Sequence, residues 1–285
     1  MGNIVPGVAA RVNDLVVRLT APNPGVMTGP GTNSYLVGRD ELVLIDPGPE
    51  SAAHCEVLRR AVGNRLKWIL CTHTHLDHSP GARAIKAATG APVCGFAPIP
   101  NDGRQDTAFA PDRILRDGDS VVASGFTLQA VHTPGHASNH LCYMLPECRL
   151  LFTGDHVMQG STVVISPPDG DMQAYFASLE RLLALDITAI APGHGHVIET
   201  PHEEARRLIA HRLKREQKVL DAFAQKNPAT LDELLPIVYA DTPARLHPVA
   251  RRSLHAHLIK LEREGKVAET GESWRILRRP ERIKS

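Results

Sequence analysis

Thr72-His73-Thr74-His75-Leu76-Asp77-His78 places three imidazoles and one carboxylate within six consecutive positions. An apolar, strand-like segment, Trp68-Ile69-Leu70-Cys71, runs into it. Ser79-Pro80-Gly81 and an Ala-rich helical pattern from Ala82 to Ala88 follow. A strand that ends in ligands and turns into a helix holds those ligands rigidly at the edge of a sheet. His nitrogens and Asp oxygens at this density suit zinc or another borderline divalent ion. His73 and His75, two apart, can face one ion; Asp77 and His78 then point elsewhere, toward a second ion.

Further strand patterns end the same way. Phe126 to Val131 leads into His132-Thr133-Pro134-Gly135-His136. Leu150-Leu151-Phe152 leads into Thr153-Gly154-Asp155-His156, and Ile187 to Ala191 into Pro192-Gly193-His194-Gly195-His196. Upstream, Asn33 to Gly38 and Leu42 to Ile45 read as a hairpin whose second strand stops at Asp46-Pro47-Gly48. Asp46 is thus a candidate to accept a proton from a ligand imidazole. Separate strand ends on one rim can deliver ligands from distant parts of a chain. Helices are expected at Ser51–Val62, with Ser51 as N-cap, at Ala82–Thr89, with Gly90 as C-cap, and at Ala174–Leu185. Pro98 to Pro111 reads as a polar, mobile loop near the mouth of the site, and Gln159 to Asp171 as a second loop.

At 285 residues, 42% hydrophobic and 22% charged, the chain has ordinary globular values, with room for one large and one small domain. Aromatics are only 4%, so any nucleic acid would be held more by charge than by base stacking. The overall charge of +1 hides an asymmetry: residues 1–200 carry 14 Lys and Arg against 19 Asp and Glu, and residues 201–285 carry 18 against 12. The basic part is compatible with a phosphate-rich partner and equally with a solvated surface. Five cysteines without paired spacing read as reduced thiols of a cytoplasmic protein. Neither a secretory signal nor an apolar run of the ~20 residues that cross a bilayer is visible, so no membrane partner is expected.

From Pro201 the texture changes. Glu203 to Lys226, Leu231 to Tyr239 and Val249 to Glu264 are helical patterns, and Lys266–Thr270 with Trp274–Leu277 forms a small hairpin. Three helices and a hairpin are the plan of a winged-helix-like module. The expected domains are therefore 1–200 and 201–285.

Collected, the motifs THTHLDH, HTPGH, TGDH and PGHG resemble, in order and over residues 30–200, those of the two-metal hydrolase branch of the metallo-β-lactamase fold superfamily. The resemblance implies an α/β fold, a four-layer αββα sandwich with metals at one edge of its two sheets, here with a C-terminal winged-helix-like domain. It implies that His73, His75 and His136 hold one metal, that Asp77, His78 and His194 hold the other, and that Asp155 bridges both. Asp155 stands where zinc β-lactamases usually carry Cys, and His75 where the di-iron flavoproteins carry Glu. Only 38 residues separate Asp155 from His194, too few for the inserted domain of the β-CASP nucleases. The stretch Asn23-Pro24-Gly25 through Gly31-Thr32-Asn33-Ser34-Tyr35-Leu36-Val37-Gly38, with the winged-helix-like tail, is similar to the lactamase-beta-like protein 2 family, whose studied animal members are single-strand endoribonucleases.

Two dications ~3.5–4 Å apart, zinc on this reading, share a water and lower its pKa from ~16 towards ~7. Asp77 and Asp155 are the candidates to orient that water, while Asp46 and Thr72 would hold the far nitrogens of the ligand imidazoles. The expected activity is hydrolysis of ester-type or phosphodiester bonds, with single-stranded RNA or a small ester or thioester as substrate; a homodimer is possible. A glyoxalase II-like thioesterase is the competing enzyme, though its all-helical tail does not match the hairpin at 266–277. A non-enzymatic nucleic-acid-binding regulator is the third reading. Arg251, Arg252 and Lys260, on the last long helix, are candidates to grip a phosphate backbone, together with His255 and Arg263.

Overall fold

The computed structural model describes residues 3–97, 99 and 102–277. The first sheet contains β1 (Ala10–Arg11), β2 (Val16–Thr20), β3 (Asn33–Gly38), β4 (Leu42–Ile45), β5 (Leu66–Leu70), β6 (Val93–Gly95) and β7 (Arg113–Ile114), side by side in that order. Helices α1 (Ala52–Val62) and α2 (Gly81–Thr89) connect β4 to β5 and β5 to β6. Pairing is antiparallel from β1 to β4 and parallel from β4 to β7. The second sheet contains β8 (Ser120–Ala123), β9 (Phe126–His132), β10 (Leu141–Leu145), β11 (Leu150–Gly154) and β12 (Ala189–Pro192), the last reached through α3 (Met172–Leu183).

Between the sheets lies a core to which β2 to β4 give Val16, Tyr35, Val37, Val43 and Ile45, and β9 to β11 give Leu128, Leu141, Tyr143 and Phe152. The rings of Tyr35 and Phe152 meet edge to face at 5.2 Å across it. Both outer faces are covered as well. Leu58 and Val62 of α1 and Ile85 of α2 pack on the first sheet, and Phe176, Leu179 and Leu182 of α3 on the second. The expected four-layer αββα sandwich is present.

Strand direction positions the site. β4 and β5 are parallel, so Asp46 and the His73–His78 segment emerge at one edge. β9, β11 and β12 share a direction, because two antiparallel steps separate β9 from β11 and β11 pairs parallel with β12. Their ends deliver His136, Asp155 and His194 to the same edge. Main-chain bonds lock the sheets together there: Leu141 N–H donates to Thr72 O at 2.7 Å, and Asn33 N–H to Gly193 O at 2.7 Å.

Beyond the sandwich come α4 (Pro201–Ala222), β13 (Ala229–Thr230), α5 (Leu231–Val238), α6 (His247–Arg263), β14 (Val267–Thr270) and β15 (Ser273–Ile276). The hairpin is joined by β13 into a three-stranded sheet, and the fully buried Trp274 anchors it on a core shared with α4, α5 and α6. Ala205 and Leu208 of α4 and Ala256 of α6 enter the core of the second sheet instead.

Three expectations change. Asp171 caps α3 by accepting from Ala174 N–H, so that helix begins two residues earlier than its apolar pattern does. The long helix starts at Pro201, where proline needs no N–H partner, and ends at Ala222. The loop expected to be mobile is tied down where it is described (Pro98, Pro100 and Asn101 lie outside the described residues). Gln105, Asp106 and Phe109 are buried, and Asp106 takes bonds from Ser79 and Arg83. β1, β7 and β13 are two residues long, too short to leave a periodic signal in the sequence.

Candidate metal centre

Three ring nitrogens converge at the rim. His75 Nδ1 lies 2.9 Å from His73 Nε2 and 2.9 Å from His136 Nε2. The far nitrogens decide which protons are present. His136 Nδ1–H donates to Val164 O at 2.8 Å. His73 Nδ1–H donates to Thr72 Oγ1 at 3.0 Å, and that hydroxyl donates onward to Asp46 Oδ2 at 2.8 Å. With their protons so committed, His73 and His136 both turn lone pairs inward. A cation fits between them.

A second group stands beside the first. His78 Nε2 is 3.5 Å from Asp77 Oδ2 and 3.4 Å from Asp155 Oδ1; His194 Nε2 is 3.3 Å from each of the same two oxygens. His78 Nδ1–H donates to Asp46 at 2.9 Å and His194 Nδ1–H to Gly31 O at 3.2 Å, so both rings are again oriented from behind. The other oxygen of Asp155, Oδ2, faces His136 Nε2 at 3.6 Å. Asp155 therefore has one oxygen toward each group. His78 Nε2 and Asp155 Oδ1 are buried without a hydrogen-bond partner, a costly state unless a cation completes them. Bonds of about 2.0–2.2 Å from one dication put neighbouring tetrahedral ligand atoms roughly 3.3 Å apart, close to the separations in both groups. The residues fit two divalent ions.

Electrostatics divides the groups. Burial holds His73 well below the ordinary imidazole range, helped by His78 and His75. Burial together with His136 takes His75 down to about 3. Burial also lowers His136, against the pull of Asp155. The first group is thus three neutral imidazoles. In the second, burial again opposes charge but loses: Asp155 and Asp77 lift His194 to about 10. Burial would raise Asp77, yet His78 and His194 hold it down at about 2. Those carboxylates draw positive charge into the second group.

Residues 27–194 match the metallo-beta-lactamase superfamily, and residues 230–274 match the beta-lactamase associated winged helix domain. The chain belongs to the metallo-beta-lactamase superfamily. A relative from Drosophila melanogaster, the "Beta-lactamase-like protein 2 homolog", is 33% identical over 93% of each chain. The "Atrochrysone carboxyl ACP thioesterase" of Aspergillus fumigatus is 30% identical, over 80% of this chain and 75% of its own. Among solved structures, a beta-lactamase domain protein from Burkholderia ambifaria superposes with a TM-score of 0.81 at 21% identity, covering 96% of each chain. The resemblance drawn from the motifs is thereby established as membership, and the winged helix of this metallo-beta-lactamase superfamily chain as part of its plan.

A cavity of about 270 Å³ opens over both groups. His75, Asp77, His136, Asp155 and His194 line it on one side; Met27, Leu76, Met158 and Val164 make it apolar on the other, with Arg104 and Arg252 also in its wall. Of the tail candidates, only Arg252 reaches this cavity. Arg251 is exposed and paired to Asp232 at 2.6 Å. Lys260 corrects the expectation of a phosphate grip: it is only 8% exposed, its ammonium bonds Glu216 and Glu264 at 2.6 Å each, and it sits 4.9 Å over the ring of Phe176. Arg263 pairs with Asp171, and the half-buried His255 turns its ring toward Trp274.

Some participants carried no sequence signal strong enough to single them out. Asp155 N–H donates to His140 Nε2 at 3.2 Å, and His140 Nδ1–H donates to Thr133 at 2.9 Å, so a neutral His140 fixes the backbone of Asp155. Asn139 donates to Thr74 Oγ1 at 2.8 Å, and Thr74 donates to Gln105 at 2.6 Å. His140 lies four residues after His136, but no local pattern separates it from His156, which packs against Tyr175. Tyr175 itself is core, donating to His156 O at 3.1 Å.

Proposed function

We propose that the chain is a two-metal hydrolase, with zinc as its metal, acting on ester-type bonds and on thioesters first. The observation that carries this is Asp155, whose two oxygens face separate ligand groups. When bound, two dications supply an ionised water and a Lewis acid for the scissile carbonyl. The chain's own groups do the rest. Asp77, partly exposed in the cavity and ionised, accepts a hydrogen bond from the attacking water and aims it. Asp46 and the carbonyls of Val164 and Gly31 keep the imidazoles turned inward. Met27, Met158 and Val164 exclude water from the acyl side. The apolar wall and the relatives named as thioesterases support a thioester over a nucleic acid. Five free thiols fit action in a reducing cytoplasm.

Arg252 favours a second reading, cleavage of single-stranded RNA: it is exposed, lines the cavity and has no carboxylate partner among the described residues. A substrate panel of acyl thioesters, lactones and single-stranded RNA on the zinc-loaded chain separates the two. Metal analysis should find two ions per chain in the wild type and one fewer in Asp155→Ala, with thioester turnover lost. An Asp155→Ala variant that keeps both metals and full activity would end the proposal.

A further inference from the structure

The cavity over the metal centre does not stop at Met27, Met158 and Val164. The same three side chains are one end of a second cavity, of about 290 Å³, that runs between the sandwich and helices α4 and α6. Part of its lining is apolar: Val26, 79% exposed, contributes from the sandwich, and Leu246 and Val249 from the C-terminal unit. Arg212 and Arg215 add cationic groups to its lining. These two guanidiniums differ. Arg215 is neutralised by Asp241 at 2.8 Å. Arg212, 3% exposed, has no carboxylate in ion-pair contact among the described residues; it donates to Val163 O and lies 5.4 Å from the ring of Tyr175, and its Nε is buried with no partner. Glu216, one turn further along α4, is taken by Lys260. A buried cation without a counter-charge is expensive to keep, and Thr162 and Ser253 line the same cavity.

We infer that the trough is a substrate subsite: it takes an acyl chain that leads away from the scissile bond and ends in an oxyanion, a carboxylate or a phosphate, bound by Arg212. The proposal rests on the thioester reading and narrows it to acyl groups with an anionic far end. Arg212 is also linked to the metal centre, since it holds the carbonyl of Val163 while the next carbonyl, Val164, orients His136.

The test uses the zinc-loaded full chain and uncleavable thioether analogues of acyl thioesters, in which a methylene replaces the scissile carbonyl. Butanoyl, hexanoyl and octanoyl analogues are compared with succinyl, adipyl and suberyl ones and with chains ending in a phosphomonoester, by titration calorimetry. Anion-ended chains of the fitting length should bind roughly 10–100-fold more tightly than methyl-ended ones, the value of a hydrogen-bonded charge. Arg212→Gln should erase that ratio and Arg212→Lys keep part of it; the carboxylate and phosphate arms identify the oxyanion. Equal binding of anion-ended and methyl-ended chains in the wild type, or a ratio unchanged in Arg212→Gln, would overturn the subsite. The wild-type comparison decides alone if the glutamine variant does not fold. Hydrolysis of the corresponding thioesters is measured separately: turnover without the binding preference sinks the subsite only, and a binding preference without turnover sinks the thioester reading only.

Discussion

Gly193 shows how little space the centre leaves. A Cβ built there would lie 2.8 Å from His78 Cε1 and 2.9 Å from Asp155 Oδ1, closer than real contacts allow. Gly193→Ala must therefore displace the Asp155 carboxylate or His78, and on the two-metal proposal the affinity for one ion should fall about tenfold or more, on the scale of lost supporting contacts; metal titration reads it. His54, away from the metals, gives a pH prediction. Burial holds it at about 4, its Nε2 meets Ser34 Oγ at 2.8 Å, and its Nδ1 has no partner. Its folded pKa lies below the unfolded value of about 6.5, so the unfolded chain binds the extra proton. Stability is full above pH ~6.5 and falls as the pH drops toward about 4, by roughly 3 kcal/mol at 1.36 kcal/mol per unit. In His54→Gln the loss between those pH values should be smaller; denaturant midpoints along the pH series measure it.

Helix ends govern the elements. Thr230 opens α5 with a reciprocal capping box: its hydroxyl accepts from Glu233 N–H at 3.3 Å, and Glu233 accepts from Thr230 N–H at 2.9 Å. Thr230→Ala should cost about 1 kcal/mol, visible as a lower midpoint of thermal unfolding with metal content unchanged. Asp171 does more than cap α3. It also pairs with Arg263 of α6, tying the C-terminal unit to the helix beneath the His136 loop. Its N-cap role was readable in principle, since Asp171 directly precedes Met172; the apolar period drew the expected start to Ala174 instead.

At the scale of the whole molecule, the C-terminal helices carry a buried ion pair against α3 of the sandwich. Lys260 of α6 and Glu216 of α4 are 8% and 4% exposed, and Lys260 lies over Phe176 of α3. Glu216→Ala leaves the ammonium with only Glu264 and should destabilise the chain by about 3 kcal/mol. Replacing both partners, Glu216→Leu with Lys260→Met, should recover most of that loss, and a double-mutant cycle in denaturant measures it. An additive double mutant would show that the pair is not coupled. This burial is why a basic residue on a basic helix was misread as a surface grip. Composition reports charge, and only packing reports whether water reaches it.

Ligand types, their order and the strand-to-turn placement of each lay in the sequence, because a dication needs particular atoms and short motifs carry them: His73, His75, Asp77 and His78 stand in one stretch, and Asp155 follows a strand. The hairpin and helices of the tail were legible for the same reason, local periodicity. Which imidazole nitrogen turns inward, that Asp155 offers one oxygen to each side, that His140 props its backbone, and that Lys260 is sealed while Arg212 has no carboxylate partner among the described residues came only from the tertiary structure. Most depend on contacts between residues distant in the chain, and no local pattern encodes them.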